Sequence, residues 1–173
     1  MKNIPQWFAL KAFYNRGEEV RGLFEGLADE IYIPTRIVQE IDGTEVRWIR
    51  RPLIGDLVFV HVPIDDLREV HTRHFSKFMI YSRADRTGPA TIEESDMRNF
   101  ILVTSIQDKG MELVNLPPDQ LPGTRVRVTG GPFEGHEGYI RRIDHRRRFI
   151  VCIQGVVAVA TSYIPAQFLE VLE

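Results

Sequence analysis

Between Leu113 and Gly123 the hydrophobic periodicity of the chain stops. Pro117, Pro118 and Pro122 fall there, and each fixes φ and removes a backbone donor, so the stretch reads as a linker. The flanks obey different patterns. Before the break, helix-spaced stripes alternate with short apolar strands. After it, Arg125-Val126-Arg127-Val128 alternates at period two and glycines punctuate short strands. The pattern predicts two domains, 1–108 and 123–173, joined by 109–122. A chain of 173 residues, 43% apolar, is long enough for two small cores.

The first half reads as an α+β fold with helices packed on an antiparallel sheet. Trp7 to Phe13 is a buried strand. Val20, Leu23, Phe24 and Leu27 form a helix stripe. Ile31 to Pro34 is a strand, and Arg36 to Arg51 a hairpin around Asp42-Gly43. Leu57 to Val62 is a core strand. A second helix, Pro63 to Phe75, sets Leu67, Val70 and His74 on one face, and Phe78 to Tyr81 is a further strand. Thr91-Ile92-Glu93-Glu94 has the form of a capping box, opening a third helix with Met97, Phe100 and Ile101 inward. The second half reads as a small β-barrel with strands near Arg125–Val128, Tyr139–Ile140, Phe149–Val151 and Val156–Val159.

Composition excludes several functions. The net charge of −2 rules out a uniformly basic nucleic-acid coat and an acidic disordered tail. No apolar run approaches the roughly 20 residues of a membrane span, and no signal-peptide core follows Met1, so a cytoplasmic protein is expected. Cys152 stands alone, without a partner for a disulfide or a Cys-based zinc site.

Catalytic constellations are missing. The acidic pairs Glu18-Glu19, Asp65-Asp66 and Glu93-Glu94 sit at helix starts, where the helix dipole favours them; adjacent carboxylates do not converge across a cleft. His71 and His74 share a helix face with no third ligand at fixed spacing. Gly130 to Gly135 lacks the Lys-Ser/Thr of a phosphate loop and reads as a tight turn. No enzyme and no cofactor is expected.

Arginines cluster at Arg50-Arg51 and, around Asp144-His145, at Arg141-Arg142 and Arg146-Arg147-Arg148. Guanidinium forks suit phosphate contacts, and charged side chains equally guard hairpin edges. Residues 1–108 hold 14 Lys and Arg against 17 acids, whereas residues 123–173 hold 7 Arg against 5 acids.

The segment Arg125 to Ile140 resembles the KOW motif: alternating valines enter a Gly130-Gly131-Pro132-Phe133 turn, and Gly138 precedes the next strand. KOW motifs also occur in ribosomal proteins. The first half resembles the NGN domain of the NusG family of transcription elongation factors. It does so through the Trp7–Phe13 strand, the amphipathic helix, Ile33-Pro34-Thr35, and the hairpin leading into Gly55-Asp56-Leu57-Val58-Phe59-Val60. Where housekeeping members carry an aromatic-Pro-Gly-Tyr segment, this chain reads Leu53-Ile54-Gly55-Asp56. That segment, with Ser82-Arg83-Ala84 and Val156 to Thr161, is similar to the specialised UpxY-type paralogues, antiterminators of capsular-polysaccharide operons.

The resemblance implies an antiparallel NGN sheet with helices and an SH3-like KOW barrel. It implies a non-catalytic factor that binds the clamp helices of RNA polymerase and favours processive, pause-resistant elongation. Trp7 and Phe13 match the family's docking positions, and Leu53 and Ile54 stand where its aromatic-Pro pair would be. Arg50 and Arg51 would face upstream DNA or nascent RNA. Phe133, expected at an exposed turn, would contact ribosomal protein S10 or Rho. A second reading is a KOW-type RNA- or ribosome-binding module using Arg141 to Arg148. Against it, the acidic first half lacks the paired surface aromatics of an RNA-stacking sheet.

Overall fold

A computed structural model describes residues 3–106, 110–115 and 123–173. In chain order the elements are β1 (Gln6–Ala12), α1 (Gly17–Leu23), β2 (Glu30–Tyr32), β3 (Thr35–Asp42), β4 (Glu45–Pro52), β5 (Leu57–Val62), α2 (Ile64–Arg73), β6 (Phe78–Ile80) and α3 (Glu94–Ser105). They continue with β7 (Glu112–Leu113), β8 (Thr124–Val128), β9 (Glu137–Ile143), β10 (Arg146–Ile153), β11 (Val157–Tyr163) and β12 (Leu169–Val171). The chain forms two compact units. One comprises residues 1–34 and 52–97, the other residues 35–51 and 98–173.

In the first unit an antiparallel sheet has the order β2-β5-β1-β6. Phe8 lies opposite Val60 and Leu10 opposite Val58, which places them with Ala12 and Val62 on one face. Val20 and Phe24 of the α1 region, Leu67 and Val70 of α2, and Phe78 of β6 close over that face as one core. Phe24 meets Phe78 edge-on at 5.7 Å, a favoured aromatic geometry. The opposite face carries Trp7 and Phe59, also buried.

Two helix boundaries differ from the sequence reading. The α1 stripe ends before Leu27, which is exposed, because Gly26 takes φ +81 and turns the chain out of the helix. The third helix starts at Glu94 rather than just after Thr91. Ile92 is instead held in a bridge with Trp7, and its N–H donates to the Trp7 carbonyl at 3.0 Å. Met97, Phe100 and Val103 are fully buried, whereas Ile101 is only half-buried.

In the second unit β3 and β4 form a separate hairpin, with the positive φ of its two-residue loop on Gly43. The remaining strands form an all-β sheet of order β12-β8-β9-β10-β11-β7. Phe149, Val151 and Ile153 alternate into its main core. Ile150, Ala158 and Ala160 form a smaller cluster with Tyr139, Ile143, Val114 and Cys152. Gly138 is required: a Cβ there would lie 2.5 Å from the Ile150 carbonyl and from the Phe149 ring.

Within the expected linker 109–122, Glu112 and Leu113 pair with Ala160 and Val159 of β11. Two paired residues carry no periodicity, so this strand is invisible to a pattern search. Residue 109 and residues 116–122, with the three prolines, lie outside the described residues. Among the described residues no helix is long and apolar enough to cross a membrane.

Candidate functional site

Trp7 is enclosed rather than displayed. Only 1% of its surface is exposed, and its indole N–H donates to Glu94 Oε2 at 2.9 Å. Its ring lies 5.1 Å from the ring of His61, its partner across the β1–β5 ladder. His61 Nδ1 stands 3.5 Å from Asp29 Oδ2, and Nε2 stands 3.8 Å from Glu94 Oε2. The expected docking residue is therefore a buried anchor for the start of α3.

Phe13, Leu53 and Ile54 gather elsewhere, at the far end of β1. The chain after β1 meets the turn before β5: Ala12 N–H donates to the Asp56 carbonyl at 2.7 Å, and Gly17 N–H to the Gly55 carbonyl at 3.0 Å. Phe13 and Ile54 are half-buried, and Leu53 is 7% exposed. Trp7 lies six residues up the strand from Phe13, about 20 Å away at strand rise. The structure brings three of the four residues together.

Sequence reasoning missed Tyr14, which joins this end of the sheet. Its backbone is left-handed at φ 59 and ψ 32, Asn15 follows at φ 55, and the ring is 86% exposed with the Arg16 guanidinium 6.0 Å away. Left-handed non-glycine backbone costs about 1–3 kcal/mol per residue. The available signal was an aromatic ring directly before the Asn15 turn residue.

Arg50 and Arg51 leave the β3–β4 hairpin on opposite sides of β4. Arg51 is paired with Glu40 at 3.1 Å; Arg50 is exposed and has no ion pair among the described residues. Trp48, 56% exposed, alternates with Arg50 and Val46 along the same side of β4. An outward tryptophan two residues before Arg50 is the second feature the sequence reading passed over.

The arginines of β9 and β10 divide. Arg148 is built into the sheet: it donates to the Thr161 carbonyl, to the Gly110 carbonyl at 2.6 Å and to the Glu112 carboxylate, binding residues 110–112 to β10 and β11. Arg141, Arg142, Arg146 and Arg147 are exposed and make no ion pair among the described residues. Asp144 and His145 both take positive φ, 50 and 67, and form the two-residue turn expected there.

Phe133 is not at an exposed tip. It is 5% exposed and packs 6.1 Å from the ring of Phe149. Gly135 N–H donates to the Val128 carbonyl at 2.8 Å and His136 N–H to the Phe133 carbonyl at 3.1 Å, folding the turn back so that its phenylalanine enters the core. Nearby, Glu137 accepts from Arg127 at 2.7 Å and Arg125 at 2.9 Å, and these bonds hold its carboxyl below the usual range. Of the histidines, His71 packs 5.2 Å from Phe78, in keeping with a half-buried surface residue.

Residues 5–101, more than half of the chain, match the family model described as "Transcription termination factor nusG". The chain belongs to the NusG family. It is 27% identical over 139 residues to the transcription termination/antitermination protein NusG of Borreliella burgdorferi, covering 80% of this chain and 66% of that protein. To the NusG of Escherichia coli K12 it is 26% identical over 161 residues, covering 85% and 86%. Among solved structures it is similar to Thermotoga maritima NusG, with a TM-score of 0.51 at 19% identity, over 98% of each chain; that likeness concerns the fold. The α+β unit with its antiparallel sheet and the all-β sheet of residues 112–171 agree with an NGN and KOW architecture. The protein is thus a NusG-like transcription termination/antitermination factor, and its family is not enzymatic.

Proposed function

We propose that this NusG-family protein docks on the clamp helices of RNA polymerase through the end of β1 and the 53–56 turn, using Phe13, Ile54 and Tyr14, with Leu53 beneath them. The carrying observation is Tyr14, a large ring held in solvent by a strained backbone, beside the turn that bears Leu53 and Ile54. A helical partner would cover Tyr14 and the exposed parts of Phe13 and Ile54. Binding the closed clamp in preference to the open one favours processive elongation by population shift. Each ~1.4 kcal/mol of differential affinity changes the ratio tenfold. Trp7 anchors the start of α3 through Glu94 and is no part of this face.

Arg50, with Trp48 on the same side of β4, would then contact upstream DNA or nascent RNA, and Arg51 would join after releasing Glu40. The Leu53-Ile54-Gly55-Asp56 segment favours a specialised, UpxY-type antiterminator of particular operons, such as those for capsular polysaccharide. For ribosomal protein S10 or Rho to use Phe133, that ring would have to leave its seat on Phe149.

The test is binding of core polymerase by Ile54→Glu and Tyr14→Ala proteins that retain native circular dichroism. Loss of at least tenfold in affinity is expected. Unchanged binding by both refutes this face. A KOW-type RNA- or ribosome-binding module is the second reading, favoured by Arg141, Arg142, Arg146 and Arg147, which make no ion pair among the described residues; it requires normal polymerase-free binding to ribosomes or RNA.

A further inference from the structure

The β9–β10 hairpin has an unusual electrostatic arrangement. Residues 141–148 carry five arginines and a single acid, a net +4 within a chain whose total is −2. Arg142 lies directly opposite Arg147 across the ladder, and Arg141 opposite Arg148. Like charges directly opposite one another destabilise a strand pair. Arg148 escapes this cost through Glu112 and two carbonyls, but Arg142 and Arg147 have no anionic partner among the described residues.

Among the described residues the hairpin also outruns its neighbours. The pairing of β8 with β9 stops at Thr124 and Ile140, and that of β11 with β10 stops at Tyr163 and Arg148. Among the described residues only the two strands of the hairpin are paired beyond those points, closed by Asp144 and His145. Opposed residues share a face, so Arg142 and Arg147 lie on one side of this prong and Arg141 and Arg146 on the other. Three residues of β9, 141–143, extend past Ile140 and give a reach of about 10 Å. The prong is two-stranded, basic on both faces, and without Phe, Tyr or Trp between 141 and 148; the His145 imidazole at its turn is its single ring.

Those properties select among polyanions. Single-stranded RNA is usually held by successive bases stacking on several aromatic rings, and the prong offers one imidazole, His145, rather than such a platform. The major groove of A-form RNA is too deep and narrow for side chains to read. The major groove of B-form DNA is about 12 Å wide and 8.5 Å deep and admits a two-stranded ribbon. A ribbon with arginines on both faces meets a phosphate backbone on either side, and a reach of about 10 Å is enough to touch the groove floor.

We propose that the β9–β10 prong binds duplex DNA by entering the major groove, with Arg142 and Arg147 on one backbone and Arg141 and Arg146 on the other. This goes beyond the polymerase-docking reading and does not depend on it. Edge protection alone is a poorer account. Opposed Arg–Glu pairs would guard the same edges and attract one another.

The experiment uses the full chain and a labelled DNA duplex, without polymerase, followed by fluorescence anisotropy across a salt series. Replacing both Arg142 and Arg147 with Gln should flatten the slope of log affinity against log salt by about 1.8, the loss of two phosphate contacts. Arg142→Glu with Arg147→Glu should abolish binding while keeping the melting temperature, because it exchanges one like-charged pair for another. Bound protein should also protect guanine N7, a major-groove atom, from methylation. An unchanged salt slope, absence of N7 protection, or tighter binding of single-stranded RNA than of the duplex would each overturn the proposal. The Tyr14→Ala protein should bind duplex DNA like the native chain, which separates this result from any failure of the docking face.

Discussion

Asn99 grips the peptide of Glu137 with both ends of its side-chain amide: Nδ2 donates to the Glu137 carbonyl at 2.6 Å, and Oδ1 accepts from the Glu137 N–H at 3.2 Å. A side chain on α3 thus satisfies a main-chain donor and acceptor of β9 at once. Replacing Asn99 by Ala should cost about 1–3 kcal/mol, since both peptide groups are left without their partner. Thermal denaturation would show the loss, and faster amide exchange at Glu137 would locate it. Asn99→Asp removes only the donor and should fall between.

The Glu137 side chain gives a pH dependence. Arg127 and then Arg125 lower its pKa in the folded protein. A depressed carboxyl stabilises the fold above its unfolded value, near 4.3, and that contribution is lost as pH falls through the folded value. Denaturant midpoints measured from pH 6 downward should therefore fall more steeply for the native protein than for Glu137→Gln. The variant keeps the main-chain contacts with Asn99, so any difference belongs to the carboxylate.

Trp7 offers a way to separate anchoring from docking. Trp7→Phe removes the hydrogen bond to Glu94 but leaves most of the buried ring. A drop of about 1–2 kcal/mol in stability is expected, with polymerase affinity of the folded fraction unchanged. Weaker polymerase binding at unaltered stability would return Trp7 to the docking surface.

Tyr14 should show the opposite trade. Asn tolerates left-handed backbone better than tyrosine does, so Tyr14→Asn should stabilise the first unit by up to about 1 kcal/mol. The same change should weaken polymerase binding. Calorimetry and a pull-down on one preparation check both halves.

Gly138 lies against main chain that cannot yield. With a Cβ 2.5 Å from the Ile150 carbonyl, Gly138→Ala should cost about 1–3 kcal/mol or more, read as a lower melting temperature.

The main sheets were legible because their strands are long, apolar and bounded by Gly or Pro; β1, β5, β10 and β11 follow the runs seen in the sequence. Of the short strands, β2 and β6 were legible from their apolar residues, whereas β7 and β12 were not. β7 has two residues and β12 three, and both exist by pairing with β11 and β8 rather than by pattern. The shifted start of α3 has a different cause. Thr91 and Glu94 have capping-box spacing, but the Glu94 carboxylate is engaged by Trp7, distant in sequence. The site residues divide likewise. Adjacency of Phe13 to the 53–55 turn follows from the β1–β5 ladder, while the burial of Trp7 and Phe133 depends on tertiary contacts that no local spacing encodes.

The polar group around His61 has a consequence for alignment. Apart from Gln6, Lys11 and His61, β1 and β5 are apolar on both faces, so over most of their length sliding one past the other by a residue would exchange one greasy surface for another. Hydrophobicity alone would leave the pairing ambiguous. His61, set beneath Trp7 and between Asp29 and Glu94, breaks that degeneracy, because a slipped strand would carry the imidazole into the Phe8–Val60 core. A few charged atoms at the strand's end act as its address, and the bulk of the sheet supplies the adhesion.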